Sequence, residues 1–187
     1  MKIIAFNGSP RKDGNTSIAI DTVFEELKNI ETNQIYLYDY EIKPCTACSA
    51  CVNNKDCKCA HDADFNKLYQ EILDSDGIIL GSPVYVASVT GQMKLFLDKL
   101  AIVSKANNDP NARKVGSSIA VGRRAGHLPT LQAMNSALLV CQFIVPGSSY
   151  WNMSIAGAKG AVSEDSEGIG IFRQLGKNMA WVLEKLQ

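Results

Sequence analysis

The sequence has no excess of either charge: Lys plus Arg and Asp plus Glu each number 19, so the formal net charge is zero. A general nucleic-acid binder carries a basic excess, so that class is excluded. A local basic patch for a phosphate-bearing ligand is not. No apolar run approaches the roughly 18 residues that span a bilayer, and no membrane partner is expected. The opening MKIIAFNGSP has one Lys and a short apolar run that stops at a Gly-Ser-Pro turn. That run is too short for a signal peptide; Ile3 to Phe6 reads as a first strand, and a cytoplasmic location is expected. Internal repeats and low-complexity segments are missing. So is a Walker A loop: five residues separate Gly8 from Gly14, and Asn15 stands where the Lys belongs. No G-x-G-x-x-G follows the first strand. There is no acid–base constellation, and no catalytic residue is assigned.

What is present suits one α/β domain over residues 1–187, with a cysteine-rich insert at about 43–62. Hydrophobic residues make up 46% of the chain, enough for a full core. Strand patterns at 2–7, 34–38, 77–80, 114–121 and 143–150 alternate with helical patterns at 17–29, 63–74, 92–103, 128–140 and 167–186. Such alternation predicts a parallel sheet covered by helices on both faces. With five strands the expected order is the flavodoxin-like 2-1-3-4-5, a three-layer sandwich. The polar stretches 105–113 and 156–168 read as exposed connections, with a lid or oligomer role as the other possibility.

In such a sheet, ligands bind beyond the carboxyl ends of the strands. The first strand runs into Asn7-Gly8-Ser9-Pro10-Arg11-Lys12-Asp13-Gly14-Asn15-Thr16-Ser17 and then a helix. A helix N-terminus offers unpaired N–H groups and a favourable dipole to an anion. The hydroxyls of Ser9, Thr16 and Ser17, the Asn15 amide and the Arg11 fork suit a phosphate monoester.

Five of the six cysteines fall within fifteen residues: Cys45, Cys48, Cys51, Cys57 and Cys59. The first four read C-x2-C-x2-C-x5-C. A short loop can wrap this pattern around one cuboidal iron–sulfur cluster, each Cys giving one thiolate to one iron. A structural zinc site usually pairs two C-x2-C elements across a longer spacer. Free or redox-sensing thiols are the third reading. Cys59 could replace Cys57, His61 reads as solvated, and Cys141 reads as core.

GSPRKDGNTS resembles the FMN-phosphate loop of the flavodoxin-like NADPH-dependent FMN reductases. The stretch from Gly81 to Val89, followed by Gln92-Met93-Lys94-x-Phe96-x-Asp98, is similar to that family's flavin-ring loop and following helix. The cysteine segment between them resembles the iron–sulfur flavoprotein branch. The resemblance covers essentially the whole chain. It implies FMN and one 4Fe–4S cluster held by Cys45, Cys48, Cys51 and Cys57.

Pro83 stiffens the ring loop, and backbone amides from Val84 through Val86 to Ala87, with Ser88 beyond them, can face the pyrimidine edge of an isoalloxazine. Tyr85 packs near the ring or in the core; the resemblance favours the ring. After the fourth strand, Gly122-Arg123-Arg124-Ala125-Gly126-His127 resembles, more weakly, a third loop of the family that approaches the flavin. Its arginines meet reduced flavin or a dinucleotide phosphate, or they are simply solvated. His127 reads as a helix-start or surface residue, and Trp151 as interface or core. The expected function is electron transfer between a low-potential donor, such as ferredoxin, and an acceptor. A cluster-free NAD(P)H-dependent FMN or quinone reductase and a thiol or zinc redox sensor are the alternatives. The resemblance further implies a homodimer or homotetramer.

Overall fold

The computed structural model describes residues 1–186. Five parallel strands form one sheet in the order β2-β1-β3-β4-β5. They are β1 (Lys2–Asn7), β2 (Glu31–Tyr36), β3 (Gly77–Pro83), β4 (Val115–Gly122) and β5 (Met153–Ile155). The helices are α1 (Asn15–Phe24), α2 (Ala50–Asn54), α3 (Ala63–Leu73), α4 (Gly91–Ala106), α5 (His127–Val140) and α6 (Ser166–Lys185). The flavodoxin-like order expected from the alternating pattern is the one observed.

Side chains alternate across a strand, so a sheet covered on both faces needs apolar residues at every position. β1 meets this: Ile4 and Phe6 join the core under α3, α4 and α5, while Ile3 and Ala5 join the core under α1 and α6. Phe96 on α4 packs on Phe6, with ring centres 4.7 Å apart. Edge strand β2 is half-exposed and reads polar, which suits a strand with one side free.

The fifth strand is the element the sequence misplaces furthest; β2, expected at 34–38, runs from Glu31 to Tyr36. The stretch 143–150 makes a single bridge, Ile144 to Val115, near the start of β4. Pro146 then removes a ladder donor and Gly147 follows it, so pairing stops. The chain returns to β4 only at its other end, where Met153, Ser154 and Ile155 pair with Ala120, Val121 and Gly122. α1 starts two residues earlier than predicted, with Gly14 as its N-cap.

Candidate FMN site and cysteine cavity

The loop after β1, the candidate phosphate loop, is shaped by its own side chains. Asn7 Oδ1 accepts from Ser9 N–H at 2.8 Å, and Ser9 Oγ from Arg11 N–H at 3.1 Å. Gly8 sits under α4: a Cβ there would lie 3.0 Å from both Met93 Cβ and Thr90 Oγ1. The N-cap of α1 is Gly14, and no side chain caps the helix. The first-turn N–H groups are therefore left for a ligand, which is what an anion site at a helix start requires.

One cleft gathers this loop with the ends of β3 and β4. Ser9, Arg11, Asn15 and Thr16 line it, with Pro83, Val84 and Tyr85 from the ring loop and Gly122 and Arg123 from the third loop. Four other expected residues lie off its wall. Ser17 is buried, and its hydroxyl pairs with Tyr36 Oη at 2.9 Å. Val86 and Ser88 belong to a hairpin turn at the rim. Gly126 packs behind that turn. A Cβ on Gly126 would lie 2.8 Å from both Ala87 Cα and Val84 Cγ1, and its φ is +94°. Gly122 is confined in the same way, 2.8 Å from Val84 Cγ2 and His127 Nε2. Both glycines are thus places where the third loop presses on the ring loop.

The ring loop carries backbone strain. Tyr85 and Ser88 exchange two N–H···O bonds of 2.9 and 3.0 Å. Between them Val86 and Ala87 take φ of +49° and +55°. Such a turn normally carries Asn or Gly, and a β-branched residue at positive φ costs about 1–3 kcal/mol. Val86 is fully exposed and Tyr85 is 46% exposed. Tyr85 is therefore not a core aromatic: it stands at the mouth of the cleft.

The wall that sequence reasoning missed is the stretch after β5. Ala156, Gly157 and Lys159 line the cleft, and the Arg123 stem lies against Gly157. Asn15 holds this wall in place. Its Nδ2 donates to Ala158 O at 2.7 Å and Ala156 O at 3.4 Å, and its Oδ1 accepts from Gly160 N–H at 2.8 Å. The expected phosphate donor is thus engaged with a neighbouring loop. The available signal was the Gly/Ala/Ser-rich composition of 156–168, which also fits a plain connection. His127 does start α5, but it is buried and within 3.0 Å of Ser154 O. Trp151 is half-exposed rather than core.

The cysteine segment lies at the far end of α4. Cys45, Cys48, Cys51 and Cys59 line one cavity of about 210 Å³, together with His61, Lys99, Ile102 and Val103. Cys57 is not on its wall; its N–H donates to Asn107 Oδ1 at 3.0 Å. Ala47, Ser49, Lys55 and Cys57 all have positive φ, so the segment folds back on itself repeatedly. Burial pushes the Cys51 thiol up from its ordinary pKa. Among the described residues, no three His, Cys, Asp or Glu side chains converge as ligands of a single metal ion. Cys141 is buried in the core, as expected.

The family model for NADPH-dependent FMN reductase matches residues 1–158. An iron–sulfur flavoprotein of Methanocaldococcus jannaschii is 34% identical over the full length of both chains. An iron–sulfur flavoprotein of Methanosarcina thermophila is 31% identical over all of this chain and 97% of its own. Among solved structures, RosB with bound 8-demethyl-8-formylriboflavin-5'-phosphate aligns over 100% of this chain and 80% of its own, with a TM-score of 0.78 and 19% identity. FerB, an NAD(P)H:(acceptor) oxidoreductase of Paracoccus denitrificans, aligns over 98% of this chain and 97% of its own, with a TM-score of 0.70 and 16% identity. At those identities the two structures speak to the fold alone.

Proposed function

Since the chain belongs to the NADPH-dependent FMN reductase family, among its iron–sulfur flavoproteins, and is a flavin-dependent oxidoreductase that uses FMN, we propose that it also holds a 4Fe–4S cluster and moves electrons between a low-potential donor, such as ferredoxin, and an acceptor. The observation that carries this reading is the shared cavity of Cys45, Cys48, Cys51 and Cys59. Four thiols around a cavity suit a cuboidal cluster, which takes one thiolate at each iron. A lone zinc ion needs its sulfurs within about 2.3 Å of one point. The ligand set we assign replaces Cys57 by Cys59, giving C-x2-C-x2-C-x7-C.

At the FMN end, the α1 N-terminus and Arg11 would bind the phosphate, with Ser9 and Thr16 beside it. The ring loop would orient the isoalloxazine through the backbone of its strained turn, and Tyr85 would limit water at the mouth. When bound, FMN supplies two-electron and one-electron chemistry and the cluster one-electron chemistry. The chain itself contributes placement: α4 begins directly after the ring loop and reaches the cysteine cavity through Lys99, Ile102 and Val103.

NAD(P)H is a second possible donor. Arg11, Arg123 and Lys159 bring three cations to one cleft, whereas a phosphate monoester carries only about −2. We also assign self-association, as a homodimer or homotetramer, to the groove lined by Leu128, Leu139, Val145, Pro146, Tyr150 and Trp151.

Anaerobic purification with iron, sulfide and FMN analysis tests the cluster reading. About four irons and one FMN per chain are expected. Cys59→Ser should lose most of the iron, while Cys57→Ser keeps it. Flavin without iron in the parent would refute the cluster. Iron loss in Cys57→Ser alone would restore Cys57 as the ligand.

A further inference from the structure

One charge on α4 is buried. Lys99 is 2% exposed, and it lines the cysteine cavity. A buried ammonium needs a partner, and Asp62 is that partner, its side chain 1% exposed. The same carboxylate makes two further bonds. Asp62 Oδ2 accepts from Lys43 N–H at 2.8 Å, and Oδ1 accepts from Phe65 N–H at 2.9 Å, which caps α3. Lys43 stands just before Pro44 and Cys45, and Asp62 three residues after Cys59. One carboxylate therefore closes the base of the cysteine loop, starts the next helix and meets a cation from α4.

A pair this deeply buried is weak evidence for stability, because apolar replacements of similar volume often serve as well. Its position is more informative. Four thiolates around a cluster make the site anionic, and net charge is one of the quantities that set a cluster's potential. A cation in a low-dielectric wall favours the form with one more negative charge. The Asp62 charge is shared among three donors, so it opposes this effect less than a bare carboxylate would.

We propose that the Lys99–Asp62 pair is a positioning device for the cluster site. It holds the two ends of the cysteine segment together so that Cys45, Cys48, Cys51 and Cys59 face one cavity. It also sets the Lys99 ammonium in the cavity wall, where it raises the potential at which the site accepts an electron. This rests on the cluster reading above.

The test compares the parent with Lys99→Met, Lys99→Arg and the double variant Lys99→Met/Asp62→Asn. Iron, sulfide and FMN per chain are measured, and the cluster and flavin midpoint potentials are read by EPR-monitored redox titration. Lys99→Met leaves Asp62 buried and unpaired, and should lose iron. The double variant has no unpaired charge; its amide oxygen keeps an acceptor for Phe65 N–H, whereas the acceptor of Lys43 N–H is lost. It should retain FMN at the parent's flavin potential, while its cluster potential falls by about 59 mV or more, a tenfold change for one electron. Its iron should also pass to a chelator about tenfold faster than the parent's. Lys99→Arg should restore the potential. A double variant with the parent's cluster potential and chelation rate would overturn the role of the pair alone. A parent that carries FMN without iron would overturn the cluster reading and this inference together.

Discussion

Asn15 and Gly160, 145 positions apart in the chain, are joined by a 2.8 Å bond from the Gly160 N–H to Asn15 Oδ1. Through it the first residue of α1 holds the loop that forms the far wall of the cleft proposed for FMN. The Asn15 amide returns the contact by donating to Ala158 O at 2.7 Å.

Asn15→Ala should therefore loosen a wall rather than remove a direct phosphate contact. The two short bonds and the longer one to Ala156 O are lost, so FMN affinity should fall about tenfold or more, or at least about 1.4 kcal/mol. Flavin-fluorescence titration measures the affinity. Hydrogen exchange should quicken at residues 156–162 and stay at the parent's rate in β1 and β3. An affinity loss with no change in exchange there would mean that Asn15 touches the phosphate instead.

Gly126→Ala should damage the ring loop from behind. The added methyl meets Ala87 and Val84 at 2.8 Å, at a φ of +94°. A non-glycine residue in that conformation costs about 1–3 kcal/mol. Flavin binding should weaken, with the global urea midpoint falling by no more than this cost implies. Gly91→Ala, where a Cβ meets nothing within 4 Å, is the control and should be neutral. Equal effects from the two substitutions would refute the packing argument.

Asp165 gives a pH prediction. Partial burial pushes its carboxyl up, but the Ser154 hydroxyl at 2.6 Å and the N–H groups of Gly168 and Ile155 outweigh burial and hold it below the ordinary carboxylate value. A group depressed in the folded state stabilises above its unfolded pKa, and that contribution is lost as pH falls through the folded one. The parent should exceed Asp165→Ala by about 1 kcal/mol at neutral pH. In urea unfolding, this gap should narrow as pH falls below about 3.9, the unfolded value. A gap that widened in acid would contradict the sign.

That the loops after β1 and β3 share a cleft was legible because each is a short run at the carboxyl end of a strand. Ser9 and Arg11 precede, and Thr16 lies in the first turn of, a helix whose start is fixed by Gly14. Pro83, Val84 and Tyr85 leave a strand whose apolar run is unmistakable. The third wall was not legible. Ala156, Gly157 and Lys159 reach the cleft only because β5 pairs with the far end of β4, and that pairing was displaced from 143–150 by Pro146 and Gly147. No local pattern records which half of β4 a three-residue edge strand will choose.

The cysteines divide in the same way. Their clustering and steps of three are chain properties, and they were enough to limit the chemistry to metal or thiol. Whether Cys57 or Cys59 faces the cavity depends on the backbone turn at Cys57, where φ is +59°, and on Asn107, which draws the Cys57 N–H away. Asn107 lies 50 positions further on, so spacing carries no trace of it. Residue type and local order pointed to the family and the sheet order, and marked the loops after β1 and β3 that meet in one cleft, because those rest on short-range sterics and hydrogen bonding. Long-range packing alone decided which thiols share a cavity, what closes the cleft, and where Lys99 ends.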